Sequence, residues 1–170
     1  MGAYLWLIWY DASSKGGPKH WTLAVSYEAN DRAYATIYEV GVCPVISQRS
    51  YSILLLQVNM DFTGLYESRV VRRVVLTGNH PTGPYAGKIL LGEVNDNVLG
   101  SLEAYSDTAA ELVNSRNRKR GQGSLSCHDW AAFIVRSLED AMLLPKVCQI
   151  SFKRFRMKLI DTAWVQGCAG

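Results

Sequence analysis

Apolar residues fall along this chain in two rhythms, and the change from one to the other predicts its architecture. Gly2 to Tyr10 carries the run Leu5-Trp6-Leu7-Ile8-Trp9. It is far short of the roughly 20 residues a membrane-spanning helix needs and predicts a first strand. Asp11 to Lys19, with Ser-Ser-Lys-Gly-Gly-Pro inside it, is a loop by composition. His20 to Glu28 and Ala33 to Val42 are rich in strand formers, with Glu28-Ala29-Asn30-Asp31-Arg32 as the turn between them. They predict a hairpin closing near Asn30, which sets His20 opposite the stretch Tyr38 to Val40. Tyr51 to Asn59 reads as a continuous buried strand, and Ser68 to Leu76, alternating Val and Arg, as a half-exposed one. Thr77 to Pro84 is dense in turn residues, and His80 within it reads as a solvated turn histidine.

Beyond that loop the period lengthens. Val94, Val98 and Leu102 predict a helix over Leu90 to Tyr105, Thr108 to Asn114 a short further turn of helix, and Asn114 to Gly123 a basic loop containing Arg116, Arg118, Lys119 and Arg120. Trp130, Ala131, Ile134, Leu138 and Ala141 then recur at helical spacing. The tail from Val147 to Val165 fits a strand or an amphipathic helix, and interleaves Phe152 and Phe155 with Lys153, Arg154, Arg156 and Lys158. Strand-like runs before Leu76 and helix-like runs after Leu90 predict one α+β domain over residues 1–170: an antiparallel sheet of roughly five to six strands packed on a long helix that begins at a cysteine.

Composition narrows the chemistry. A chain of 170 residues, 48% hydrophobic and 19% charged, is large enough for a core and well outside disordered composition. Its net charge of +3 permits an anionic partner without requiring one. Cys43, Cys127, Cys148 and Cys168 show no CxxC pair and no zinc-finger histidine spacing, so reduced thiols are expected and neither a metal site nor a disulfide framework. Gly-rich phosphate loops, GxSxG elbows and HExxH pairs do not occur. The expectation is a cytoplasmic protein with no membrane span and no cofactor.

One stretch stands apart. In Ser124-Leu125-Ser126-Cys127-His128-Asp129-Trp130, Ser126 is suited to cap a helix, Asp129 stands where a capping-box acid belongs, and Cys127 becomes the first helical residue. Unpaired backbone N–H groups at such a terminus favour a thiolate, the form that attacks carbonyls. A cysteine nucleophile needs a base and a group that orients it. His128 lies about 100° round the helix from Cys127 and points elsewhere. His20, at the head of a strand, is the best placed base, with Glu39 or Tyr38 as the orienting group.

The pieces His20-Trp21-Thr22-Leu23-Ala24-Val25 and Ser126-Cys127-His128-Asp129-Trp130 resemble the circularly permuted papain-like group, the NlpC/P60 and lecithin:retinol acyltransferase-like proteins, in which the histidine precedes the cysteine. The chain is also similar to a set of small fungal proteins that combine an HW-L-V strand with a C-x-x-W helix start. The resemblance implies Cys127 as nucleophile, His20 as base and an orienting group on the strand Ala33 to Val42. The expected function is acyl transfer from an amide, ester or thioester, with Trp21 and Trp130 beside a small-molecule or acyl-carrier substrate. An activated anionic donor such as an aminoacyl-tRNA, as in peptide or cyclodipeptide formation, is the alternative that Arg116, Arg118, Lys119 and Arg120 suggest. A non-catalytic module with a tryptophan-lined pocket is the other.

Overall fold

The computed structural model of the chain describes residues 2–11, 19–42, 65–120 and 125–145. The elements are β1 (Ala3–Tyr10), β2 (His20–Ser26), β3 (Tyr34–Val42), β4 (Tyr66–Val75), β5 (Tyr85–Val94), α1 (Asp96–Arg120) and α2 (Cys127–Asp140). The strands form a sheet in the order β4-β3-β2-β1-β5, with every neighbouring pair antiparallel. The α+β class and antiparallel sheet agree with the sequence pattern. The expected strand Tyr51 to Asn59, the tail Val147 to Val165, and Cys43, Cys148 and Cys168 lie outside the described residues.

The hairpin of β2 and β3 closes as its turn chemistry requires. The Asn30 carboxamide oxygen accepts from the Arg32 N–H at 3.0 Å, and its carbonyl from the Ala33 N–H at 3.2 Å. Register follows, with Ser26 opposite Ala35 and Leu23 opposite Tyr38. Alternation then sorts side chains between the two faces of the sheet. Ala3, Leu5, Leu7, Trp9, Trp21, Leu23, Val25, Tyr38 and Val40 pack in one cluster with buried residues of both helices. Trp6, Ile8, Tyr10, Ala24, Ala35 and Ile37 gather on the opposite face. Both faces of the central strands are apolar, which is why β1 reads as an unbroken hydrophobic run.

Three sequence expectations change after β4. The stretch from Leu90 to Val94 is the end of β5, not the start of a helix. Asn95 then caps α1, its side-chain oxygen accepting from the Asn97 and Val98 N–H groups at 3.0 and 3.2 Å. The helix runs on to Arg120, absorbing the expected turn at Thr108 to Asn114 and most of the expected basic loop. Nothing between Ser101 and Arg120 is Gly or Pro, and Val98, Leu102, Ala109 and Val113 keep one face buried to its last turns. The helix at the cysteine has 14 residues and is the shorter of the pair, against 25 for α1. The Trp130 indole N–H donates to the Ser106 carbonyl at 3.0 Å, fastening the two helices inside the core.

The end of α2 is a Schellman turn: the Leu143 N–H donates to Leu138 O at 2.8 Å and the Met142 N–H to Glu139 O at 3.0 Å. Met142 stands at φ 56°, where a side chain is unfavourable, and is 87% exposed. Met142→Gly is therefore expected to raise stability by about 1 kcal/mol in urea denaturation. Gly87 behaves oppositely. A Cβ there would stand 2.3 Å from the Trp9 ring, so Gly87→Ala is expected to cost about 1–3 kcal/mol in the same assay.

Candidate active site

Local sequence builds the start of α2. The Ser126 hydroxyl accepts from the backbone N–H of His128 at 3.3 Å, and the Asp129 carboxylate accepts from the Ser126 N–H at 3.0 Å, a reciprocal capping box. With the Trp130 N–H bound to Ser126 O at 3.0 Å, the Cys127 N–H is the one of this first turn that the cap does not engage. The segment is also held from outside. Asn117 of α1 donates to Leu125 O at 3.1 Å and accepts from Leu125 N–H at 2.9 Å, two residues before the cysteine.

One turn earlier on the same helix, Asn114 makes the same double bond to the backbone of Tyr66 at the head of β4, at 2.7 and 2.8 Å. Two asparagines three apart thus clamp the two chain segments beside Cys127 to one helix face. Tyr66 lies close enough that its pKa, raised first by burial, is raised further by the negative charges of Cys127 and Asp129.

Cys127 is half-buried at the helix start, and its Sγ lies 4.0 Å from the Lys19 carbonyl. His20, the next residue along, opens β2 beside the Cys127 side chain. It bonds the Glu39 carboxylate, Nε2 to Oε2 at 3.1 Å. Because that carboxylate only accepts, Nε2 carries a proton and Nδ1 is the nitrogen turned away from Glu39. Burial alone would lower the His20 pKa. The hydrogen bonds and charges of Cys127 and Glu39 outweigh it and hold the imidazole up at about 9, so it is protonated at neutral pH.

Of the two orienting groups expected on β3, alternation selects Glu39. Tyr38 points to the helix side of the sheet, among the core residues, where the charges nearest its hydroxyl are those of Glu103 and Arg72.

His80 is where sequence reasoning fails. Read as a solvated turn residue, it instead presents Nε2 to the same Glu39 oxygen at 2.9 Å, and only 9% of its side chain is exposed. Its loop is closed by a backbone bridge between His80 and Gly83. The loop is tied to the end of β1 by the Asp11 N–H donating to Pro84 O at 3.0 Å. The Tyr10 ring lies 4.8 Å from the His80 ring, and the His20 and His80 rings stack at 5.3 Å. Composition marked the loop correctly but carried no sign that it folds back over β3.

Burial alone would raise the Glu39 pKa, yet the hydrogen bonds and charges of His20 and His80 override it and hold it down at about 2. Metal-ligating atoms of His20, Glu39 and His80 all lie within 4.8 Å of one another. The cysteine spacing had pointed away from a metal, and this grouping contains no cysteine.

Other expected site residues have different roles. Trp21 and Trp130 are 1% and 0% exposed and belong to the core, not to a substrate surface. Trp6 and Trp9 are buried as well, none of the four tryptophans exceeding 9% exposure. His128 is turned from the thiol, its ring edge-on to Trp21 at 4.4 Å. Arg116, Arg118 and Lys119 are exposed on the last turns of α1, with the Arg116 guanidinium 4.8 Å above the Phe133 ring. Arg120 ends that helix.

No family model, curated protein or solved structure matches this chain. Among the described residues, no helix is long and apolar enough to cross a membrane.

Two outcomes follow from this geometry. Ser126→Ala removes the cap and is expected to cost about 1 kcal/mol. Asn117→Ala leaves two backbone groups unpaired and is expected to cost about 1–3 kcal/mol, both read by urea denaturation. The pH dependence has a definite sign. The His20 contribution to stability is full below its ordinary 6.5 and is lost as pH rises through about 9. That of Glu39 is full above its ordinary 4.5 and is lost as pH falls through about 2. The melting temperature of the parent protein should therefore fall between pH 6.5 and 9. In His20→Ala that alkaline decline should shrink.

Proposed function

We propose that the protein is a cysteine-dependent acyl-transfer enzyme in which Cys127 is the nucleophile, His20 its acid and base, and Glu39 the group that orients His20. The observation that carries this reading is the single imidazole placed beside the thiol at a helix start, whose Sγ lies 4.0 Å from the preceding Lys19 carbonyl, and bonded through Nε2 to a buried carboxylate. That is the arrangement nucleophilic catalysis by a thiol needs.

Cys127 Sγ adds to the carbonyl carbon of an amide, ester or thioester, and the oxyanion meets the Cys127 N–H that the cap leaves disengaged. Collapse expels the leaving group with a proton from His20 and leaves a thioester on Cys127. Water or a second nucleophile then gives a proton to His20, attacks the thioester and frees the thiol. The order histidine, carboxylate, cysteine, with the cysteine opening a helix packed on the sheet, supports a permuted papain-like scaffold for this chemistry.

A second reading concerns the donor. Arg116, Arg118 and Lys119 are exposed on the helix whose Asn117 holds the approach to Cys127, a placement suited to an anionic carrier such as an aminoacyl-tRNA or a carrier-protein thioester. Donor binding would then weaken steeply with salt, and more so after neutralising these residues.

The test uses activated esters and thioesters as generic donors, with mass spectrometry to locate the acyl group. The expected result is a stoichiometric acyl adduct on Cys127, absent in Cys127→Ser and formed about 10²–10⁴-fold more slowly in His20→Ala. Acylation spread over other nucleophiles and indifferent to His20 would overturn the reading.

A further inference from the structure

We propose that His20, Glu39 and His80 form a three-ligand site for a divalent transition-metal ion such as Zn²⁺.

The three side chains come from separate parts of the chain, the head of β2, the middle of β3 and the loop before β5, and present His20 Nε2, Glu39 Oε2 and His80 Nε2 to one another. Two imidazoles and a carboxylate are a ligand set used by zinc, which is held at about 2.0–2.2 Å by each donor. Donors at that distance stand about 3.0 Å apart in octahedral and about 3.4 Å apart in tetrahedral arrangement. The two histidine–carboxylate separations here are 3.1 and 2.9 Å, and the whole set lies within 4.8 Å. The site is thus formed to within a few tenths of an ångström at two edges and needs only the histidines to draw together.

The surroundings suit it. Exposures of 16, 10 and 9% for the three side chains leave the ion shielded, with a remaining coordination position for water. His80 Nδ1 lies 2.8 Å from the Thr82 hydroxyl and accepts from the Thr82 backbone N–H at 3.2 Å, which holds the ring with Nε2 toward Glu39. The buried Tyr10 ring lies beside both histidines, stacked with His20 at 6.4 Å and tilted against His80 at 4.8 Å.

The experiment titrates Zn²⁺, and Co²⁺ as a coloured stand-in, into the full chain with Cys43, Cys148 and Cys168 replaced by Ser, so that no other thiol competes. One equivalent should bind, and Cys127→Ser should leave that binding intact. His20→Ala and His80→Ala should each weaken it by more than about tenfold, the least that loss of even an outer partner of a ligand costs. His80→Gln, checked for a native circular dichroism spectrum, guards against a loop that fails to fold.

Binding that is absent, or indifferent to both histidines, overturns the metal site.

Discussion

The interaction on which the site depends is the double acceptance of the Glu39 carboxylate. Its Oε2 takes N–H groups from His20 at 3.1 Å and His80 at 2.9 Å. A buried carboxylate left unpaired would protonate or drive water into the sheet. Bonded by two imidazoles it stays ionised, and in staying ionised it holds Nε2 of each ring toward itself. The orientation of the His20 ring, with its other nitrogen turned away from Glu39, is a consequence of that pairing.

The fold supplies the pairing through strand alternation. His20 and Glu39 lie on neighbouring antiparallel strands and on the sheet face turned away from the helices, with Tyr10 beside them. The loop before β5 folds under that end of the sheet and brings His80 in from the same side. Cys127 arrives from the helix side and meets His20 at the very start of β2, where the imidazole can reach around the end of the sheet. A base set further inside the strand on this face would be separated from α2 by the sheet itself.

Holding the cysteine there is the task of α1. Asn114 and Asn117 satisfy four backbone groups of irregular chain, at Tyr66 and Leu125, that would otherwise stand unpaired next to the core. Because both carboxamides project from one rigid helix, the head of β4 and the entry to α2 are fixed relative to each other. The exposed basic residues that share those last turns of α1 are carried into the same neighbourhood by the same geometry.

Much of this was written locally. The antiparallel strands, the hairpin at Asn30, the capping box at Ser126 and the placing of Cys127 at a helix start all follow from short-range rules: alternation, turn chemistry and side-chain bonds to the nearest backbone. Those rules also left His20 with two candidate partners on β3, and only the strand register put Glu39 on its face and Tyr38 on the other. The length of α1 was misread because polar, charged residues such as Arg116 to Arg120 look like loop when the packing of Val113 is not known. Tertiary structure alone decided the rest. His80 becomes part of the site, Trp21 and Trp130 become core, and Asn114 and Asn117 become clamps, because each meets a partner outside its own element whose position no local preference encodes.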